Sequence, residues 1–265
     1  MFKFLCLGDV VGRPGRRAIQ KHLSTIKARE GVDLVVVNGE NSAGGAGIDF
    51  SCARDIKDAG TDVITLGDHT WQRSEAESLL EEHSDWCIRP ANYPERAKGR
   101  GWVIKEVKGF KIGVMNLMGR VFINQVLDCP FKIAQQLLTG PLRDCDGIIC
   151  DMHGEATSEK KAIAYELDGR VALVFGTHTH IPTADEQILP KGTAYITDLG
   201  MCGPMESILG MKTQVSIDRF ITGMKVSYEV ADGDVELCGV VVEYDPKQKK
   251  SLAIKRIRER VPILP

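Results

Sequence analysis

The sequence predicts an α/β fold of two sheets packed face to face with helices outside. Two observations carry this expectation. The first third alternates short apolar runs with amphipathic helical stretches, and the second half is rich in strands. Uninterrupted apolar runs such as Asp33-Leu34-Val35-Val36-Val37 and Val171-Ala172-Leu173-Val174-Phe175 read as strands buried on both faces, as in a parallel sheet. No repeat, low-complexity segment or linker interrupts the pattern, so one domain over 1–265 is the simplest division.

Residues 2–8 form the first expected strand. A turn at Gly12-Arg13-Pro14-Gly15 leads to a helix over 14–28, with Ala18, Ile19, Leu23 and Ile26 on one face. The glycines here fall at the wrong intervals for a dinucleotide fingerprint. A strand at 33–37 ends in Asn38-Gly39-Glu40-Asn41, followed by a Gly-rich loop from Ser42 to Gly47. A helix over 51–59 precedes a strand at 62–66, which ends in Gly67-Asp68-His69-Thr70-Trp71. Ser74 is the expected cap of a helix over 73–83, and 86–88 a short strand. A hairpin of 101–107 with 110–117 turns at Lys108-Gly109. A helix over 130–139 follows, then a strand at 147–150 ending in Asp151-Met152-His153. Ser158 is the expected cap of a helix over 159–167. The strand 171–175 runs into Gly176-Thr177-His178-Thr179-His180. Strands are expected at 193–197, 223–230 and 235–244, with Asp232-Gly233-Asp234 as a hairpin turn, and strand or extended chain at 252–260.

Composition narrows the partners. Lys plus Arg number 34 against 36 Asp plus Glu, for a net charge of -2. That balance makes no electrostatic case for a nucleic acid or a membrane surface, but leaves room for a small phosphorylated ligand. The eight cysteines are scattered without a C-x-x-C pair and read as buried free thiols. Residues 1–7 are too short for a signal-peptide core, and no apolar run spans a membrane. A cytoplasmic protein is the expectation, with a homo-oligomer left open.

Five expected strands end in metal-ligand residue types: Asp9; Glu40 with Asn41; Asp68 with His69; His153; and His178 with His180. One polar residue after a strand means little. Five such ends, carrying three carboxylates and four histidines, are hard to assign to chance. Parallel strands deliver their carboxyl ends to one edge, so these side chains would converge there. Unneutralised, the carboxylates would repel one another, and cations are the natural counter-charge. One ion cannot use so many ligands, whereas two ions about 3.5–4 Å apart can. Mixed histidine and carboxylate ligation suits iron, manganese or zinc, and the absence of cysteine argues against a purely structural zinc site. The chemistry such a pair performs well is in-line attack of a metal-bound hydroxide on phosphorus.

These motifs resemble the calcineurin-like metallophosphoesterase superfamily. Gly39-Glu40-Asn41-Ser42-Ala43-Gly44-Gly45, His153-Gly154-Glu155-Ala156-Thr157-Ser158-Glu159-Lys160 and Thr177-His178-Thr179-His180-Ile181-Pro182-Thr183-Ala184-Asp185 look like its YmdB-like branch, over nearly the whole chain. The resemblance implies a four-layer αββα sandwich of two mixed sheets, a di-iron (Fe2+/Fe3+) or other dinuclear centre (manganese or zinc), and phosphodiesterase activity, notably on 2′,3′-cyclic nucleotides. By position it implies Asp9, Glu40, Asn41 and His180 around one metal, and Glu40, Asp68, His153 and His178 around the other, with Glu40 bridging. His69 would protonate the leaving oxygen or stabilise transition-state charge. The family has Gly-Asn-His where this chain has Gly67-Asp68-His69. The extra carboxylate would hold a cation more tightly, weaken it as a Lewis acid, and raise the pKa of His69. A phosphomonoesterase, or a weakly active metal- and nucleotide-binding regulatory protein, are the competing expectations.

Beyond the motifs, Arg89 and Arg120 are candidates for phosphate contacts, and Trp71, Phe122 and Tyr195 for stacking on a base. Surface ion pairing and core packing are the simpler explanations for each. The loop Ser42–Gly47 could approach a phosphate through its backbone N–H groups. Thr157-Ser158-Glu159 reads as a helix start, and His22 and His83 as surface residues.

Overall fold

The computed structural model describes residues 1–262; the last three positions of the expected domain lie outside it. The elements in order are β1 (Phe2–Leu7), β2 (Asp9–Val10), α1 (Gly12–Glu30), β3 (Leu34–Asn38), α2 (Phe50–Asp58), β4 (Val63–Thr65), α3 (Ala76–Glu82), β5 (Cys87–Ile88), β6 (Trp102–Val107) and β7 (Phe110–Met118). They continue with α4 (Pro130–Thr139), β8 (Gly147–His153), α5 (Thr157–Glu166), β9 (Leu173–Thr177), β10 (Gln187–Ile188), β11 (Ala194–Ile196), β12 (Met201–Pro204), α6 (Thr213–Thr222), β13 (Val235–Asp245) and β14 (Lys250–Val261).

Two mixed sheets result. One runs β2-β12-β13-β1-β3-β4-β5, with β14 also paired to β13; the other runs β10-β11-β9-β8-β7-β6. Side-chain alternation along β1 sorts the layers. Phe4 and Cys6 point between the sheets and meet Val114, Ile149 and Phe175 of the second. Leu5 and Leu7 point the other way, onto Ile19 and Leu23 of α1 and Ile56 of α2. On the far side, Leu138 of α4 and Ile163 of α5 cover Met152 and Val174. The layers are therefore helix, sheet, sheet, helix: the αββα sandwich that the motifs implied.

Within each sheet the site-bearing strands are parallel. Phe4 pairs with Leu34 and Asn38 with Thr65, so β1, β3 and β4 end at one edge. Met118 pairs with His153, and His153 with Thr177, so β7, β8 and β9 end together as well.

Local signals explain most boundaries. Gly31, at φ 69°, stops α1 in the left-handed conformation that glycine adopts without steric cost. Asp49 caps α2 by accepting the Cys52 N–H at 2.8 Å. The cysteines are free, and all but the half-buried Cys129 are buried. Among the described residues no helix is long and apolar enough to cross a membrane.

Several expectations are corrected. Ser74 does not cap α3, which starts at Ala76 behind Glu75. Ser158 lies inside α5, whose cap position is Ala156. Residues 223–230 are not a strand. Their alternation of Met224, Val226, Tyr228 and Val230 finds no neighbouring strand, only a single bridge from Val230 to Met211. Asp232-Gly233-Asp234 therefore joins no hairpin. The segment before it is helix α6, and Ser216 is its only buried residue. Its apolar residues Ile217, Phe220 and Ile221 are exposed rather than packed into a core, so no core-facing stripe marks it.

Candidate metal centre and active-site cavity

Asp9, Glu40, Asn41, Asp68, His69, His153, His178 and His180 all lie at the shared carboxyl edge of the two sheets. The first sheet supplies the three carboxylates and Asn41. The second supplies His153 from the end of β8, and His178 and His180 from the loop after β9. Donor atoms of Glu40, Asp68, His153 and His178 all lie within 4.8 Å of one another. His153 Nε2 is 3.0 Å from Asp68 Oδ1 and 3.3 Å from Glu40 Oε1. His178 Nδ1 is 3.2 Å from Asp68 Oδ1. A second group stands beside the first: His180 Nε2 is 3.3 Å from Asn41 Oδ1 and 3.9 Å from Asp9 Oδ1. The closeness has a backbone requirement. A Cβ at Gly67 would come within 2.3 Å of the His153 ring and 2.4 Å of Glu40 Oε2.

Hydrogen bonds to the far sides of these groups determine which atoms face inward with lone pairs. His180 Nδ1 is 2.9 Å from the Leu209 carbonyl. A carbonyl can only accept, so Nδ1 carries the proton and Nε2 is bare. Asn41 donates its amide N–H to the Gly45 carbonyl, which turns its Oδ1 inward. Asp9 Oδ1 is buried and has no hydrogen-bond partner. Three electron-pair donors thus converge with no hydrogen bond donated to any of them from within the group. His153 repeats the pattern. Thr177 donates its hydroxyl to Asp151 Oδ1 at 2.7 Å, leaving Thr177 Oγ1 to accept from His153 Nδ1 at 3.0 Å. His153 Nε2 is then bare toward Asp68 and Glu40. A buried acceptor without a donor is costly, and a cation is the partner this donor set fits.

Charge states agree with that reading. Burial, with Asp198 next in effect, pushes the Asp9 carboxyl up to about 7. Burial and then Asp68 push Glu40 well above the usual carboxylate range. Burial lowers His153 to about 4 and lowers His180 as well, so both rings are neutral near pH 7. Burial acts upward on Asp68, but the adjoining His153 and His178 rings outweigh it and hold its carboxyl well below the ordinary range. Burial acts downward on His178, and Asp68 outweighs it, so this imidazole is raised. His69 is lowered, because burial outweighs the pull of Asp68. The upward pull of Asp68 is the expected one, and burial decides the net direction.

Several polar groups that buttress the site were not singled out from the sequence. Asp151 gathers Thr177, Thr65 and the Asn38 amide. Lys160, wholly buried, pairs with Asp198 at 2.6 Å. Gln72 lies 2.7 Å from His69 Nδ1, and Glu155 lies 3.2 Å from His178 Nε2. The spacing signal was present, with Gln72 three residues after His69 and Glu155 two after His153.

Other candidates fall away from the site. Arg89 is buried and spends its guanidinium on the carbonyls of Lys98, Pro90 and Ala97. Tyr195 is a core residue whose hydroxyl meets Thr197. Trp71 packs edge-on against Tyr93. Phe122 and Arg120 are exposed and line none of the site cavity. At the start of α5, the Glu159 carboxylate accepts the N–H groups of Arg120 and Val121, and the Glu159 N–H donates to the Ala156 carbonyl. His22 and His83 are half-buried rather than on the surface, and His83 stacks on Trp86.

The donor groups open into a cavity of about 630 Å³. Glu40, Asn41, His69, His178 and His180 are on its floor. Gly44, Gly45 and Ala46 of the Gly-rich loop form one side, and Leu209, Met211, Phe220 and Tyr228 form a wall.

An αββα sandwich with carboxylates and histidines gathered at the common carboxyl edge is the metallophosphoesterase arrangement, and the chain falls in that class. A model of the YmdB-like protein family matches residues 5–257. The chain belongs to the YmdB-like family. It is 42% identical over 255 residues to a 2′,3′-cyclic-nucleotide 2′-phosphodiesterase of Bacillus subtilis, covering 96% of each chain. The crystal structure of a Thermus thermophilus protein superposes with a TM-score of 0.92 at 39% identity, covering 98% of this chain and 100% of that one. A structure described as a novel phosphatase from Mycoplasma pneumoniae gives 0.91 at 39% identity, covering 98% and 93%.

Proposed function

We propose that this chain, an enzyme of the phosphoric-ester hydrolase class, opens 2′,3′-cyclic nucleotides at a dinuclear metal site. The observation that carries the metal part is the convergence of bare His180 Nε2, Asn41 Oδ1 and the unpartnered Asp9 Oδ1 beside the Glu40, Asp68, His153 and His178 cluster. In this reading Asp9, Asn41 and His180 hold one ion, Asp68, His153 and His178 the other, and Glu40 reaches both. Iron suits the mixed donors, with manganese or zinc as alternatives. Bound there, the ions supply Lewis acidity that polarises the phosphoryl oxygens.

The rest of the chemistry belongs to side chains. With the Gln72 amide donating to His69 Nδ1, the neutral His69 ring carries its proton on Nε2. The His69 backbone N–H donates to Glu40 Oε2 at 3.1 Å, which fixes the residue beside the cluster. His69 on the cavity floor is thus poised to donate a hydrogen bond from Nε2–H to the departing ribose oxygen and stabilise its growing negative charge as the ring P–O bond breaks. Substrate identity is supported by the activity of the Bacillus subtilis relative.

The test compares hydrolysis of 2′,3′-cyclic AMP and bis-p-nitrophenyl phosphate with that of p-nitrophenyl phosphate, alongside elemental analysis of the protein. Two metal atoms per chain and a diester preference are expected. A monoester preference would transfer the assignment to a phosphomonoesterase, the reading favoured by the description of the Mycoplasma pneumoniae relative. A metal-loaded protein that bound cyclic AMP without turnover would make it a regulatory binding protein.

A further inference from the structure

The cavity is two-faced. Its floor is polar and charged, and its wall is Leu209, Met211, Phe220 and Tyr228. Nothing in the hydrolytic chemistry needs that wall. We propose that it is the nucleobase subsite, with Phe220 and Tyr228 as its aromatic surface. The assignment rests on the phosphodiesterase reading above and adds to it the group that selects the substrate.

Five observations support it. Phe220 is 80% exposed although it stands at a cavity, so the fold itself does not occupy that ring. Tyr228 has a neighbour in Arg219, whose guanidinium lies 5.0 Å from its ring centroid and donates to its hydroxyl at 2.6 Å. The wall is tied in register to the floor, because the Leu209 carbonyl accepts from His180. Leu209 adopts a left-handed φ of 53°, a cost that a non-glycine residue bears only where neighbours enforce it. Gly45, at φ 92°, makes room for the wall, since a Cβ there would approach Met211 Cε to 2.6 Å.

A 2′,3′-cyclic nucleotide has a charged phosphate at one end and a flat aromatic base at the other. With the phosphate on the floor, the base faces this wall. Stacking reads the π-face of a base rather than its hydrogen-bonding edge. The subsite therefore accepts every base and favours the larger purines.

The test uses Phe220→Ala and Phe220→Trp in the full-length metal-loaded enzyme. Substrates are 2′,3′-cyclic AMP, 2′,3′-cyclic CMP and glycerol 1,2-cyclic phosphate, which has no base. Phe220→Ala is expected to lower the kcat/KM preference for 2′,3′-cyclic AMP over glycerol 1,2-cyclic phosphate by about tenfold, through KM. Phe220→Trp should restore it, and wild type should prefer adenine to cytosine. Equal losses on the baseless and base-bearing substrates, or none, overturn the subsite. Calorimetric titration with adenosine 3′-monophosphate needs no turnover, so it decides the subsite even if cyclic nucleotides prove not to be substrates. There Phe220→Ala should weaken binding about tenfold, and unchanged binding counts against the proposal. A change in sedimentation without a change in KM or binding would make this face a subunit contact, and would also overturn it.

Discussion

The floor and the wall of the same cavity are built on opposite principles. In the floor, His178 and His180 take left-handed φ values of 101° and 63°, conformations that cost roughly 1–3 kcal/mol each for such residues. They persist because the loop between them is gripped. Asp198 accepts the Thr179 N–H at 3.2 Å and the Gly200 N–H at 2.8 Å, and is itself paired with the buried Lys160. The wall has no comparable grip. Helix α6 buries only Ser216, and Ile217, Phe220, Ile221 and Met224 lie exposed around it. Chemistry with strict geometric demands sits on the over-determined part. Contact with a variable, flat group sits on the permissive part.

Mutations should separate the two. The largest effect on turnover is expected for His69→Ala, which removes the proposed hydrogen-bond donor to the leaving oxygen: kcat should fall about 10²–10³-fold with metal content unchanged, as steady-state kinetics and elemental analysis would read. Loss of metal instead would make His69 a ligand. Lys160→Met strands a buried carboxylate, so roughly 3–5 kcal/mol of stability should go in a denaturant titration, with metal lost from the His178–His180 loop. An intact loop and full metal content in that variant would remove the difference between floor and wall. Gln72→Ala frees the His69 ring, and about a 10–100-fold loss in kcat is expected, on analogy with partners that orient metal-site histidines. Asp68→Asn removes one negative charge between His153 and His178, so metal should dialyse away faster against a chelator. No change in metal retention or rate would show that Asp68 is not the anchor of that cluster. The smallest effect belongs to the wall, where Phe220→Ala should leave the melting temperature in place while shifting substrate preference.

The same division governs what the sequence reveals. Each parallel strand of the floor is a run of apolar residues broken by Gly-Asp, Gly-Glu-Asn or a histidine, and those breaks lie at one edge because the registers of β1, β3 and β4, and of β8 and β9, align them. The helix–sheet alternation likewise made the layers legible. The wall left no such trace. A helix that buries one serine carries no 3.6-residue stripe, and the alternation at 223–230 mimics a strand that has no partner. The polar residues beneath the ligands were hidden for another reason. Asp151 of the second sheet meets Thr65 and Asn38 of the first, and Lys160 of α5 meets Asp198, so only the packing brings these partners together.

The placement of β13 bears on the order in which the chain can acquire this structure. Strand β1 lies between β3 and β13, with Phe2 opposite Tyr244 and Leu7 opposite Gly239. During synthesis the first strand therefore waits, hydrogen-bonded on one side only, until nearly the whole chain has emerged. Pairing across so much sequence is slow, because the loop must close before the contact is gained. The first sheet, which carries Asp9, Glu40 and Asp68, should thus be completed late, and its nascent edge is the part of the molecule most open to wrong partners until then.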